Sequence, residues 1–167
     1  MSEVPQVGDK APDFTTTTDS GEQISLSELR GKKVILYFYP KDDTPGCTTQ
    51  ACGFRDSHAD FEAHDAVVFG ISPDGEASHA KFRAKYDLPF TLLADVPAPA
   101  RGAEKPVPPV CEKYGVWQEK SLYGREYMGV VRTTYLIDTE GRVAKRWDKV
   151  KVPDHAEEVL EAARELP

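Results

Sequence analysis

Apolar and polar positions alternate along the chain in blocks that have the lengths of strands and helices. Short runs rich in apolar residues occur at Val34–Tyr39, Val67–Ile71 and Thr91–Leu93, and such runs are typical of strands buried on both faces. The segments between them, Gly46–Ala63 and Glu76–Tyr86, have the length and composition of helices with one apolar face. The pattern therefore predicts a core in which three strands alternate with two helices.

The segments on either side of this core predict further strands and helices. They are a β-hairpin of Phe14–Thr18 and Gln23–Ser25, a short helix at Leu26–Arg30 ended by Gly31, a second hairpin of Val131–Ile137 and Arg142–Trp147, and a last helix from Asp154. Strands that alternate with helices and end in a hairpin indicate a mixed sheet covered on both faces. The fold class predicted is α/β, with a thioredoxin-like fold, an N-terminal β-hairpin and a mixed central sheet flanked by helices.

One segment differs in composition from the rest of the chain. Residues 96–110 contain five of the 13 prolines, a density that no helix or sheet interior accommodates. An extended surface loop and a linker between domains both fit this composition. The 57 residues that follow have the pattern of strands completing the same sheet, so we predict a single domain over 1–167 with a Pro-rich surface loop at 96–110.

Charge and cysteine content narrow the class of protein. The 21 Lys and Arg against 28 Asp and Glu leave a formal net charge of −7, which argues against nucleic acid or an anionic membrane as the main partner. No apolar run approaches the roughly 20 residues of a membrane span, and Met1–Gln6 lacks the layout of a secretory signal. Three cysteines are too few for a disulfide scaffold. We therefore expect a cytoplasmic protein whose cysteines are inert or chemically used thiols.

The segment Pro40–Cys52 carries the strongest chemical signal. It leaves the C-terminal end of a predicted buried strand, which is where open α/β sheets bind ligands, and enters a helix with Cys47 in its first turn. Free backbone N–H groups and the helix dipole favour a thiolate at that position. Thr44 places a hydroxyl three residues before the sulfur, and Pro40 and Pro45 stiffen the loop.

Helical geometry separates the two cysteines of this segment. Cys47 falls in the inward stripe of Ala51, Phe54 and Phe61, whereas Cys52 lies about 140° around the axis on the more polar side. Their Cα atoms would be roughly 8.7 Å apart in an intact helix, and a disulfide needs about 4.4–6.8 Å. The pair therefore either consists of inert buried fillers or forms a disulfide only when the helix start unwinds.

These motifs resemble those of a known family. Pro40-x-x-x-Thr44-x-x-Cys47 resembles the peroxidatic motif of peroxiredoxins, and the run TPGCTTQACGFRD resembles the peroxiredoxin Q group, also called bacterioferritin comigratory protein. The resemblance extends over most of the chain, to Gly8–Phe14, Gly70–Ser72, Phe90–Leu93, Tyr114–Trp117 and Arg132–Asp138. It implies a thiol peroxidase that reduces hydrogen peroxide and alkyl hydroperoxides.

The resemblance also implies roles for individual residues. Cys47 matches the peroxidatic cysteine, Thr44 the hydroxyl that binds peroxide and sulfur, and Pro40 the shielding proline. Arg132 matches the distant arginine that stabilises the thiolate and the charge developing on oxygen, although the residues alone leave Arg55, Arg83 and Arg125 as rivals. Gln50 occupies a position where a Glu or Gln orients the arginine.

Cys52 matches the resolving cysteine that lies on the same helix. It would condense with the Cys47 sulfenic acid to an intramolecular disulfide, which a dithiol reductant of the thioredoxin type would reduce. The alternative is a one-cysteine enzyme resolved by an outside thiol. The resemblance requires no metal or organic cofactor, and because no exposed apolar stripe demands a partner we expect a monomer.

The remaining candidate groups receive no catalytic role. We expect Cys111 to be packed and inert. We expect His64, His79 and His155 to lie on the surface, and His58 is too far along the helix to serve as a base for Cys47. Two further functions stay open: a thiol–disulfide oxidoreductase, which the Cys-x4-Cys spacing disfavours, and a redox sensor or chaperone-like interaction protein.

Overall fold

A computed structural model describes residues 4–167, so the first three residues of the segment Met1–Gln6 lie outside the described residues. The strands are β1 (Thr15–Thr18), β2 (Gln23–Ser25), β3 (Lys33–Phe38), β4 (Ala66–Ser72), β5 (Thr91–Ala94), β6 (Trp117–Leu122), β7 (Arg125–Val130), β8 (Thr133–Ile137) and β9 (Val143–Trp147). The helices are α1 (Pro45–Asp56), α2 (His58–Ala63), α3 (Glu76–Lys85), α4 (Pro109–Lys113) and α5 (His155–Glu165), with a 3-10 turn at Leu26–Leu29. No helix among the described residues is long and apolar enough to cross a membrane.

Seven strands form one mixed sheet in the order β2-β1-β5-β4-β3-β8-β9. Strands β3, β4 and β5 are parallel to one another, and β1, β8 and β9 pair antiparallel to their neighbours. Side chains of β3 alternate between two cores, with Ile35 and Tyr37 on one face and Leu36 and Phe38 on the other. The predicted mixed α/β architecture with an N-terminal hairpin is therefore confirmed.

The helices cover both faces of this sheet. Helices α1, α2, α3 and α5 contribute Phe54, Phe61, Phe82 and Val159 to the core that holds Tyr37. Helix α4 contributes Val110 and Cys111, with the following Tyr114, to the opposite core. The central strand β3 is buried along its whole length, which is why its sequence is apolar from Val34 to Phe38.

The helix predicted over 46–63 is two helices. Ser57 ends α1 and begins α2 with φ −100° and ψ 3°, outside the helical region. Asp56, Ser57 and His58 are weak helix formers, so little helical propensity opposes the break. The break lets Phe61 of α2 pack against Phe54 of α1 with ring centroids 5.9 Å apart in one core.

A hairpin of β6 and β7 was not predicted. It forms a separate two-stranded sheet whose register pairs Leu122 with Arg125 across Tyr123-Gly124. Both turn residues have positive φ, 52° and 76°, as a type I′ turn requires. Most of its side chains are exposed, so the sequence lacks the apolar alternation that marks a strand. The next strand, β8, begins at Thr133, two residues later than predicted.

The Pro-rich segment is exposed over most of its length and is closed by a bridge between Ala98 and Val107. Its last residues differ from the prediction, because Pro108 and Val110 are buried and α4 begins at Pro109. The buried carboxylate of Asp95 accepts hydrogen bonds from the amides of Val110 at 3.0 Å and Cys111 at 2.7 Å. This cap attaches the end of the loop to the sheet.

Candidate active site

The turn from β3 into α1 presents Cys47. Thr44 precedes the helix with extended backbone (φ −98°, ψ 155°), and Pro45 is the first helical residue, a position that suits its fixed φ and missing N–H. The first bond within the helix runs from Thr48 N to Thr44 O at 2.8 Å. The amides of Gly46 and Cys47 therefore precede the hydrogen-bonded helix and are available to an anion.

Arg132, the residue directly before β8, closes the site. Its Nη2 donates to Cys47 Sγ at 3.2 Å, and its Nη1 donates to Gln50 Oε1 at 2.5 Å. The antiparallel register of β3 and β8 pairs Phe38 with Thr133, which sets Arg132 beside the loop that leaves β3. Cys47 itself is only 1% exposed. A guanidinium so close to a buried sulfur stabilises negative charge on it.

Gly46 is a site residue that sequence reasoning missed. A Cβ at this position would lie 3.2 Å from Arg132 Nη2, tighter than ordinary carbon contacts. Its lack of a side chain therefore allows the guanidinium to reach Cys47. The sequence could have indicated this role, because Gly46 directly precedes the cysteine and glycine at a helix start often marks close approach of another group.

The three rival arginines are occupied elsewhere. Arg55 donates to Asp56 and to the Tyr86 carbonyl, and Arg83 donates to Asp19. Arg125 lies exposed on the β6–β7 hairpin. Among the four candidates, the structure brings only Arg132 to the cysteine.

Gln50 holds the arginine from α1. It is 2% exposed, and its Oε1 accepts from Arg132, whereas its Nε2 has no hydrogen-bond partner among the described residues. The buried amide therefore orients one guanidinium nitrogen and leaves the other for Cys47. A donor left free beside Arg132 is a further polar group at the edge of this site.

Thr44 and Pro40 are half-buried on the same loop. The Thr44 hydroxyl donates to Lys41 O at 2.9 Å and thereby closes a turn within the loop. Pro40 directly follows Tyr39, whose amide donates to Ile71 O at 3.0 Å and continues the sheet pairing by one residue. Both residues therefore stand on backbone that is held in place by local hydrogen bonds.

Cys52 lies half-buried five residues after Cys47 on the same uninterrupted helix. The two thiols and that of Cys111 are all free. A free pair on an intact helix agrees with the expected separation, which is too long for a disulfide. Cys111 is fully buried, and burial and the nearby Asp95 raise the pKa of its thiol well above the usual value. Its packing agrees with the inert role expected for it.

The core next to the cysteine is aromatic. The Tyr37 ring stacks on Phe54 with centroids 4.7 Å apart, and its hydroxyl is buried without a hydrogen-bond partner among the described residues. Burial, and then the nearby Cys47, raise the pKa of Tyr37 well above its ordinary value. Tyr37 therefore stays neutral and adds no charge to the site.

The prediction of surface histidines was wrong at two positions. His79 is 0% exposed and His155 is 2% exposed. The His79 ring packs beside Tyr39, directly after β3, and the His155 ring packs against Phe54 of α1. Burial, and then the positive charge of Arg132, lower the pKa of His155 to about 4. Its Nε2 is hydrogen-bonded to Thr134 Oγ1 at 2.8 Å. The burial of His79 could have been predicted from its spacing of three residues from Phe82, which places both side chains on the same face of α3.

Comparison with known proteins places the chain among relatives of similar length. The sequence profile of the AhpC/TSA family matches residues 7–146. Peroxiredoxin Bcp of Bacillus subtilis is 48% identical over 96% of this chain and 96% of its own length. The putative peroxiredoxin bcp of Coxiella burnetii is 52% identical over 93% of this chain and 96% of its own length.

Solved structures of peroxiredoxins have the same fold as this chain. The bacterioferritin comigratory protein of Xanthomonas campestris superposes with a TM-score of 0.82 at 35% identity, covering 96% of each chain. Peroxidoxin BcpB of Mycobacterium tuberculosis superposes with a TM-score of 0.78 at 34% identity, covering 96% of this chain and 97% of its own. The predicted thioredoxin-like fold is confirmed by these peroxiredoxin structures. The chain therefore belongs to the AhpC/TSA family, and within it to the peroxiredoxin Q or Bcp group of peroxidase oxidoreductases.

Proposed function

We propose that this chain reduces hydrogen peroxide and alkyl hydroperoxides with Cys47 as the attacking thiolate. The observation that carries the proposal is the 3.2 Å contact from Arg132 Nη2 to the buried Cys47 Sγ. It places a permanent positive charge where the thiolate resides and where charge develops on the peroxide oxygen. The related protein of Xanthomonas campestris has alkyl peroxide reduction activity, which supports organic peroxides as substrates.

In the first step the Cys47 thiolate attacks the nearer peroxide oxygen and breaks the O–O bond. The sulfur becomes a sulfenic acid, and the other oxygen leaves as water or an alcohol after it takes a proton. The free amide of Cys47 and the hydroxyl of Thr44 hold the peroxide, while Arg132 stabilises the charge on both partners. Pro40 shields the reacting sulfur from bulk water.

In the second step Cys52 resolves the sulfenic acid. Its thiol attacks the Cys47 sulfur, a disulfide forms and water leaves, after the start of α1 has unwound to bring the two sulfurs together. A dithiol of the thioredoxin type then exchanges with this disulfide, restores both thiols and is itself oxidised. The cycle serves peroxide defence and redox homeostasis of the cytoplasm, and a monomer suffices because every group named belongs to one chain.

The test is peroxide consumption coupled to NADPH through thioredoxin reductase and thioredoxin. The wild-type chain should turn over with hydrogen peroxide and with an alkyl hydroperoxide, and Cys47→Ser should not. Cys111→Ser is the matched control, because it removes a different buried thiol and should keep the activity. Undiminished turnover by Cys47→Ser would contradict the proposal, and sedimentation of the reduced protein tests the monomer.

A further inference from the structure

The loop that carries Thr44 into α1 is anchored through one buried side chain. Asp42 is 8% exposed, whereas its neighbours Lys41 and Asp43 are exposed. The Asp42 carboxylate contacts α3, where it meets the completely buried His79. A buried carboxylate needs donors for its lone pairs, so the partners of Asp42 reveal what it does.

Three donors surround the Asp42 carboxylate. The Tyr39 hydroxyl donates to Oδ1 at 2.5 Å, the Ser78 hydroxyl donates to Oδ2 at 2.8 Å, and His79 Nδ1 lies 2.7 Å from Oδ2. Burial, and then Tyr37 and Asp42, raise the pKa of Tyr39 well above its usual value, which keeps this hydroxyl a donor. An ionised carboxylate accepts from all three groups at once.

The second nitrogen of His79 shows where one ring hydrogen lies. His79 Nε2 lies 2.9 Å from the Leu93 carbonyl, which only accepts, so Nε2 carries a hydrogen. Nδ1 then faces a carboxylate that accepts from two other donors, and two lone pairs cannot meet at 2.7 Å. An imidazolium that donates to the carboxylate satisfies every one of these groups and makes a charge-assisted bond inside the protein.

The same loop is also held by its backbone, to the turn between β4 and α3. The Asp42 amide donates to Asp74 Oδ2 at 2.7 Å, and Asp74 Oδ2 also accepts from the Ser72 hydroxyl at 2.8 Å. The oxygens and nitrogens of Asp42, Asp74 and His79 lie close enough together to suggest a metal site. Asp42 Oδ2, Asp74 Oδ2 and His79 Nδ1 all take part in these short contacts, which anchor the loop.

The two sides of the peroxide site, Arg132 and Thr44, are thus held by different parts of the fold. Arg132 precedes β8 and contacts the sulfur directly, whereas Thr44 stands two residues from Asp42 on the loop attached to α3 and, through Leu93, to β5. Two residues of chain span at most about 7 Å, and the Thr44 hydroxyl bonds back across Asp42 to the Lys41 carbonyl, so an anchor at Asp42 restrains the position of Thr44. A misplacement of about 1 Å at a reacting group costs on the order of 100-fold in rate.

We infer that Asp42 and His79 are positioning residues, which form a buried ion pair that fixes the Thr44 side of the peroxide site. The inference rests on the proposed peroxidase function. It assigns the pair to the reaction with peroxide and not to the reactivity of the Cys47 thiolate, because neither residue contacts the sulfur or Arg132.

Two reactions of Cys47 distinguish an effect on the peroxide site from an effect on the reactivity of the thiolate. Quenched-flow oxidation by hydrogen peroxide requires the positioned site, whereas alkylation by iodoacetamide requires only the thiolate. Asp42→Ala and His79→Ala should lower the rate constant with peroxide about 100-fold and leave the alkylation rate within about threefold of wild type. Asp42→Asn should recover at least about tenfold over Asp42→Ala, because its amide donates to a neutral His79 Nδ1.

The matched control is Asp43→Asn on the same loop. Asp43 is exposed, its carboxylate accepts from Lys85 Nζ and Tyr86 OH, and its φ of 56° is one that Asn adopts readily. This variant should keep both rate constants within about threefold, since its contacts lie in water. The comparison separates loss of the buried anchor from loss of any contact between loop and α3.

Several results overturn the inference. A folded Asp42→Ala that reacts with peroxide at the wild-type rate contradicts it, and so does an equal fall in both reactions. Should the alanine variants not fold, nitrogen-15 NMR of the unaltered protein decides: two ring N–H protons on His79 at pH 7 support the ion pair, and one ring N–H overturns it. A wild-type chain that consumes no peroxide contradicts the proposed function instead.

Discussion

Arg132 and Cys47 are 85 residues apart in sequence, and their side chains meet at 3.2 Å. The contact depends on the pairing of β8 with β3 and on the bare backbone of Gly46. It brings a helix start together with the guanidinium of the residue that precedes β8, and these are two independent ways to stabilise a thiolate. Four predictions test what this arrangement and its surroundings do.

Replacing Arg132 with Lys should slow the reaction of Cys47 with peroxide by about 100-fold. An ammonium keeps the charge but lacks the planar fork that serves Cys47 Sγ and Gln50 Oε1 together. Stopped-flow kinetics with hydrogen peroxide measure the effect. Arg125→Lys, on the exposed hairpin, is the control and should react at the wild-type rate; a fall no larger in Arg132→Lys than in this control speaks against the assigned role.

Replacing Gly53 with Ala should slow disulfide formation about threefold while the reaction with peroxide stays unchanged. Alanine stabilises a helix interior by up to about 1 kcal/mol over glycine, and in the proposed second step the start of α1 unwinds next to this position. The new Cβ would lie 3.4 Å from the Ala156 Cβ, an ordinary contact. Quenched samples analysed by mass spectrometry separate the sulfenic acid from the disulfide. Equal disulfide rates in the two proteins would show that unwinding does not limit this step.

The disulfide map after one equivalent of peroxide should contain only the pair Cys47–Cys52. Cys52→Ser should react once and then stall as a sulfenic acid or depend on small thiols, because no second thiol lies on the helix. Cys111→Ser should behave as wild type in the same map, since burial and Asp95 keep its thiol protonated and enclosed. A disulfide that includes Cys111, or full thioredoxin-linked turnover of Cys52→Ser, would remove Cys52 from the mechanism.

Acid should destabilise the fold partly through His155. Its pKa is lowered from 6.5 to about 4 in the folded protein, so the unfolded chain binds the extra proton between these values. The free energy of unfolding is unaffected by this group above pH 6.5 and falls as the pH drops from 6.5 to 4, by roughly 3 kcal/mol in full. Urea unfolding at pH 7 and pH 4.5 measures the change.

The variant His155→Gln isolates this contribution. Its amide donates to Thr134 Oγ1 without titrating, so the variant should lose less stability between pH 7 and 4.5 than wild type does. His64→Gln, at a partly exposed position, is the control and should keep the wild-type dependence. The same dependence in His155→Gln as in wild type would assign the acid sensitivity to the carboxylates alone.

The sequence by itself determined the features that depend on neighbours along the chain. Strands buried on both faces are mostly apolar, so β3, β4 and β5 were visible as runs. Cys47 lies just after a strand ends, in the first turn of a helix that begins at a proline. The different directions of the Cys47 and Cys52 side chains, about 140° apart around the helix axis, follow from helical geometry alone. The β6–β7 hairpin was not predicted, because most of its side chains are exposed and its sequence therefore lacks the apolar alternation that marks a strand.

Tertiary structure decided which distant groups meet. Four arginines were compatible with the sequence, and the antiparallel register of β8 on β3 selected Arg132. The burial of His79 and Asp42 likewise arises from α3 packing beside the loop after β3, a contact between segments 37 residues apart. Local pattern sets the conformation and inward face of an element, because backbone geometry repeats every few residues. Charges and hydrogen bonds between elements depend on sheet order and packing, which distant parts of the chain settle together.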